Sequence, residues 1–174
     1  MMTYGAGGVA GYGSLCGTLN AGAAVMALIM GEDRKTRDLM IQELYRWSES
    51  SELPVYKPVD NDTEIVTSVS ESVLCHISIR RWCNEADASP FEPIRKERCR
   101  RLCADTASKV AEILNRMSLD GYGSDADKKL GEMSQENKSC TACHGNATEI
   151  EKKDQITGKM QCITCHENPE RFHD

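Results

Sequence analysis

Cys140-Thr141-Ala142-Cys143-His144 and Cys162-Ile163-Thr164-Cys165-His166 repeat one pattern, Cys-x-x-Cys-His, near the end of a 174-residue chain. In this pattern two thiols add to the vinyl groups of a haem, and the adjoining histidine becomes an axial ligand of its iron. Two copies predict two covalent haem c groups per chain. One is bound through Cys140, Cys143 and His144, the other through Cys162, Cys165 and His166. The same stretch decides the fold of the region around it. Between Gly121 and Asp174 the large apolar side chains are Tyr122, Leu130, Met133, Ile150, Ile156, Met160, Ile163 and Phe172. They are too few to close a core around a segment of that length. Residues 121–174 are therefore expected to be a small loop-rich dihaem segment. Two macrocycles lying close together supply its core, and the segment is disordered without them.

Cys140, Cys143, Cys162 and Cys165 also fit the spacing of a tetrahedral zinc ribbon. A histidine directly after each second cysteine has no role in a ribbon and is required for haem attachment, so haem is the favoured reading. The histidine count agrees. The chain has four, His76, His144, His166 and His173, and two haems with two axial histidines each need four. With His144 and His166 proximal, His76 and His173 are the candidate distal ligands. Met133 and Met160 compete for the same role, since Met/His ligation is an established alternative that raises the haem potential.

Upstream, residues 1–120 read as a helical, cysteine-containing domain, which makes the whole chain mainly α. Ser14 is placed to cap a helix over Leu15–Met30, rich in alanine and stopped by Gly31. Asp33 is placed to cap a second helix to about Ser48, with Leu39, Met40, Glu43, Leu44 and Trp47 on one stripe. Leu53 to Asn61, with Pro54 and Pro58, reads as an extended connector. A short third helix is expected from about Ser70 to Trp82. A long fourth runs from Pro93 to about Met117, with Cys99, Cys103, Val110, Ile113, Leu114 and Met117 facing inward. Arg95, Lys96, Arg98, Arg100 and Arg101 are expected on its solvated face. The glycines from Gly5 to Gly13 lack the flanking strand of a phosphate loop and read as a flexible entry segment.

A net charge of −6 argues against nucleic-acid binding and for an acidic protein whose redox partners carry basic patches. The longest apolar stretch, Leu15 to Met30, is broken by Gly17, Asn20 and Gly22 and is too short to insert in a membrane. No secretory leader is visible, yet haem c attachment belongs outside the cytoplasmic membrane. A periplasmic location and an N-terminally processed or incomplete chain are the expectations.

Nine cysteines are present, of which five lie outside the haem motifs. Cys99 and Cys103 are four apart on one helical face, with Cys75 and Cys83 on the preceding helix. They form a candidate four-thiolate set for an iron–sulfur or other metal centre. Disulfides and simple burial are the alternatives. Cys16, near a helix start, is a fifth thiol of redox or packing role.

Cys16-Gly17-Thr18-Leu19-Asn20-Ala21-Gly22, Ser72-Val73-Leu74-Cys75, and Cys99 or Cys103 with Val110-Ala111-Glu112-Ile113-Leu114 resemble the redox family named for its C, GCAxxG, C, C pattern. With the double haem motif added, the chain is similar to the split-Soret cytochromes c over most of its length. Gly17-Thr18 departs from the Cys-Ala of the family pattern, and the family's first helix has no counterpart. The resemblance implies a homodimer that gathers four haems at one end, with paired haems stacked and their Soret absorption split. It further implies bis-histidine ligation, with a distal ligand from the partner, and an accessory iron–sulfur site in the helical part.

These readings converge on electron transfer rather than catalysis. A haem reductase in which His173 is a labile ligand is the first alternative, and a zinc-stabilised interaction module the second.

Overall fold

The computed structural model describes residues 3–145 and 158–166. The protein is mainly α, as expected. Helix α1 (Gly17–Met30) starts two residues after the expected point. Ser14 does not cap it, because its hydroxyl donates to the Gly8 carbonyl at 2.8 Å. The chain through Leu15 is instead extended, forming an antiparallel bridge to Leu74. Cys16 N–H donates to Val73 and Cys75 N–H to Ser14, so the two cysteine-bearing helix starts are tied together by backbone before either helix begins. At the other end Gly31, at φ +52°, turns the chain out of the helix.

Helix α2 (Arg34–Ser50) opens on Asp33, whose carboxylate accepts the Thr36 N–H at 3.1 Å, the cap expected of that residue. Strand β1 (Glu52–Leu53) then pairs antiparallel with β2 (Ser68–Val69), Glu52 opposite Val69 and Leu53 opposite Ser68. The excursion between them is pinned by side chains. Asp105 accepts from the N–H groups of Val55 and Tyr56, both at 2.9 Å, and Trp82 donates to Val66 O at 2.9 Å. Helix α3 (Cys75–Ala86) begins later than expected. Ser70 and Ser72 are buried in the preceding turn, where Ser70 Oγ bonds Ser48 O and Ser72 O. Hydroxyls that satisfy a turn in this way compete with helix. Helix α4 (Pro93–Asp120) has Pro93 in its first turn and runs three residues past the expected end at Met117, with Gly121 as its C-cap.

Helices α1, α2 and α4 enclose the core, built on Leu19, Met26, Met40, Leu44, Val110 and Ile113. Each such side chain contributes about 1.5–3 kcal/mol by leaving water. The helices approach closely at Gly22, where an added Cβ would lie 2.9 Å from both Leu44 Cδ2 and Val110 Cγ2.

The basic face expected on α4 is corrected in two places. Arg98 and Arg101 are 2% and 5% exposed, while Cys103, expected inside, is exposed. The packed stripe passes instead through Leu102, Asp105 and Thr106. Strand-side segments cover that face and give the arginines partners, since Arg101 binds Glu97 at 3.0 Å and Thr63 O at 2.7 Å.

The structure divides into two units, Met1–Glu132 and Met133–Asp174. Helix α5 (Asp125–Leu130) belongs to the first, although composition changes at Asp120. A buried charge network explains this. Glu43 of α2, 2% exposed, meets Lys109 at 3.1 Å, Arg116 and the Tyr122 hydroxyl. Arg116 continues to Asp127 of α5 at 3.3 Å. Among the described residues, no helix is long and apolar enough to cross a membrane.

Candidate functional site

The second unit is organised by one side chain. Ser134 caps helix α6 (Gln135–His144), accepting the Asn137 N–H at 3.2 Å. Asn137 lies one turn before Cys140 and is only 1% exposed. Its amide NH2 donates to Met160 O at 2.7 Å, and its Oδ1 accepts the Cys162 N–H at 2.8 Å. Ser134 Oγ adds a bond to the Gln161 side chain at 2.9 Å. The entrance to the second Cys-x-x-Cys-His motif is thereby held on the helix that carries the first. That motif forms its own turn, with Cys165 and His166 N–H groups both donating to Cys162 O at 3.1 Å. Sequence reasoning missed Asn137. Three residues after Ser134 it reads as an ordinary first-turn residue, and nothing local signals its partners 23 to 25 residues away.

Cys143 and Cys165 are exposed and Cys140 and Cys162 half-buried, so the first pair is open to addition chemistry and the second partly so. His144 is the last residue of α6. Among the described residues, no three Cys, His, Asp or Glu side chains gather closely enough to hold one ion. His173 lies outside the described residues.

In the first unit, Cys16, Cys75, Cys99 and Cys103 line a single cavity of about 620 Å³, walled otherwise by Gly5, Gly8, Thr18 and apolar side chains of α1 and α4. Cys83 is buried on α3 but does not line it, so the thiol set around the cavity differs from the predicted one by Cys16 in place of Cys83. The geometry has simple origins. Cys99 and Cys103 are one turn apart on α4, while the Leu15–Leu74 bridge places Cys16 and Cys75 at adjacent helix starts. No disulfide joins any of the nine cysteines.

The early glycines are corrected from a loose entry segment to a structured cover. Thr3–Gly5 form a 3-10 turn and residues 6–14 a run of backbone hydrogen bonds. An added Cβ on Gly8, at φ +69°, would lie 2.6 Å from Cys75 Cβ, and one on Gly17 would lie 2.2 Å from Gly5 O. Only glycine lets this cover approach the cysteines so closely.

Burial pushes the Cys16 thiol up, against smaller downward pulls from the Thr18 and Leu19 amides and from Arg98. Burial, then the neighbouring Cys16 and Cys99, pushes Cys75 up to about 11. Left to themselves these thiols hold their protons, and charge on one discourages charge on the next. Such thiols become thiolates when a metal takes the place of the protons.

His76 follows Cys75 and is exposed. Its Nδ1 lies 2.9 Å from Gly13 O. A carbonyl oxygen can only accept, so this contact places a proton on Nδ1, and in the neutral ring the lone pair is then on Nε2, as in histidines that ligate metals.

Residues 1–113 match the model of the family described as "Putative redox-active protein (C_GCAxxG_C_C)". Over 170 residues the chain is 38% identical to split-Soret cytochrome c of Desulfovibrio desulfuricans, a match covering 95% of this chain and 58% of that protein. It thus spans less than two thirds of the length of that curated relative. The chain is also similar to a solved structure of the Desulfovibrio desulfuricans split-Soret cytochrome c, which is described as containing a novel iron centre. The TM-score is 0.80 at 35% identity, over 95% of this chain and 68% of the other.

Proposed function

The chain belongs to the C-GCAxxG-C-C redox family and is a relative of split-Soret cytochrome c, and from that premise we propose that it is a dihaem c-type protein that carries single electrons. The observation that carries this reading is the Asn137 tie, because it brings two complete haem-attachment motifs into one small unit. Cys140 and Cys143 bind one haem by thioether bonds, with His144 on its iron. Cys162, Cys165 and His166 do the same for the other. Bound haem supplies one-electron exchange between ferric and ferrous iron. Held within one short unit, the two macrocycles stack, and coupling between them splits the Soret band.

His76 and His173 complete the coordination. The bond of His76 to Gly13 O fixes its tautomer and ring direction before any haem is met. A homodimer allows His76 to serve a haem of its own chain or of a second copy. With all four axial positions filled by histidine, no substrate reaches iron, and the protein is a carrier rather than an enzyme.

Cys16, Cys75, Cys99 and Cys103 are the proposed ligands of an iron–sulfur centre in the first unit. All four line one cavity, and cysteine thiolates are the usual ligands of iron–sulfur groups. Arg98, next to Cys99 in sequence, buries an Nε that has no hydrogen-bond partner. Haem attachment and a surface of net charge −6 support a periplasmic setting and basic redox partners.

Acid–acetone extraction followed by intact mass measurement tests the assignment. Retention of two haem masses on the chain is expected, and the bare polypeptide mass would overturn it. Carbon monoxide added to the reduced protein is expected to leave the spectrum unchanged. An adduct at neutral pH would move the reading to a haem reductase with a labile distal ligand.

A further inference from the structure

Arg98 occupies a place in which a cation is costly. It is 2% exposed. Its Nη2 donates to Ser78 Oγ at 2.8 Å, and Ser78 is itself buried on α3. Its Nε is buried without a hydrogen-bond partner. Among the described residues no carboxylate forms an ion pair with it. The neighbouring arginines of α4 differ in this respect, since Arg100 and Arg101 both meet Glu97, and Arg95, only half-buried, donates to Pro90 O. A guanidinium cannot escape the cost of burial by losing its proton, and an unpaired buried charge is among the least tolerated features of an interior.

Arg98 sits between two cysteine-bearing turns. Cys99 is the next residue on α4, and Ser78, which accepts the Arg98 hydrogen bond, lies one turn beyond Cys75 on α3. Neutral thiols offer a buried cation little. Thiolates bound to iron, together with sulfide, offer it a net negative charge of the kind it lacks elsewhere. Each thiol releases its proton to solvent as it takes iron, and the negative charge so created stands beside the guanidinium.

We propose that Arg98 is the built-in counter-cation of an anionic, thiolate-held iron–sulfur group in the cysteine-lined cavity, held in place by Ser78 and tuning the group toward accepting an electron. The proposal rests on the reading that Cys16, Cys75, Cys99 and Cys103 hold such a group. Adding an electron makes the group more negative, so a fixed neighbouring cation stabilises the reduced form, through the same outer-shell charge and hydrogen bonding that set potentials at metal centres generally. Arg98 touches no reacting atom in this account. It is a positioning and tuning residue, and its signature is a potential rather than a loss of ligands.

The test uses the full-length protein as isolated, compared with Arg98→Met, Arg98→Lys and Ser78→Ala. Non-haem iron and sulfide per chain are counted. The non-haem centre is then titrated with dithionite under electron paramagnetic resonance, with the haem potentials of the same samples as internal reference. The expected result is a lowered midpoint potential in R98M, a near-native one in R98K and a smaller lowering in S78A, while the haem potentials stay in place. Unchanged non-haem potential and iron content in R98M would overturn the proposal. Should R98M yield no folded protein, S78A decides: a lowered potential supports the role of Arg98 and an unmoved one overturns it. Absence of non-haem iron and sulfide from the wild-type protein would instead overturn the underlying cluster reading, a failure visible before any variant is made.

Discussion

The two units of the chain solve the problem of holding together in opposite ways. Residues 1–132 bury Leu19, Met26, Met40, Leu44, Val110 and Ile113 among three helices, and they neutralise Glu43 inside with Lys109 and Arg116. Residues from 133 onward place one polar side chain, Asn137, at their most buried described point and rely on its bonds to Met160 and Cys162. A helix with an apolar stripe is stable because its neighbours remove it from water. A segment without such a stripe needs an apolar partner from outside the polypeptide, and two haems are large, flat and apolar. On the proposed reading, the first unit is a protein core beside a cysteine-lined cavity, while the second takes its core from two haems wrapped by protein.

The sharpest way to break this contrast is to withdraw one haem. Cys140→Ala with Cys143→Ala is expected to remove one haem mass from the chain. It should also open the second unit to limited proteolysis, with cuts beyond Glu132, while helical circular dichroism of the first unit persists. Loss of the first unit's helicity in the same variant would mean that the units fold as one.

Next in size is the reverse experiment. Ile113→Ala removes a fully buried side chain from the first core and is expected to cost about 2–5 kcal/mol in chemical denaturation, with both haems retained by mass. Asn137→Ala leaves the Cys162 N–H and the Met160 carbonyl without their partner and is expected to cost about 1–3 kcal/mol locally. Its clearer readout is optical: both haems remain covalent but the Soret splitting shrinks, because the two motifs are no longer fixed in register. Smallest is Asp33→Ala, which removes the cap of α2. It should lower the melting temperature of the first unit slightly and leave the visible spectrum untouched.

Legibility in the sequence followed the same division. The helices of the first unit were readable because local rules govern them: Asp33 caps α2, Pro93 opens α4 and Gly31 closes α1. The errors fell where distant segments meet. Ser14 is taken by the Gly8 carbonyl, and Leu15 is bridged to Leu74, so α1 and α3 both start late. Arg98 and Arg101 are buried because segments remote in sequence fold over α4, which periodicity on α4 alone does not reveal. At the site, the two Cys-x-x-Cys-His repeats stand out in the sequence because their spacing is local. The cavity was only half legible: Cys99 and Cys103 share a helix face, whereas Cys16 joins them through tertiary pairing. Asn137 was invisible for the same reason, since its role is defined by Met160 and Cys162.

The central claim is that two covalent haems sit in contact as the core of the second unit, and the visible spectrum of the oxidised, purified protein tests it most directly. A Soret band split into two components, retained by the chain through acid–acetone extraction, is the predicted result. A single symmetrical Soret band would contradict the stacked arrangement, and a colourless protein would contradict the haem assignment itself.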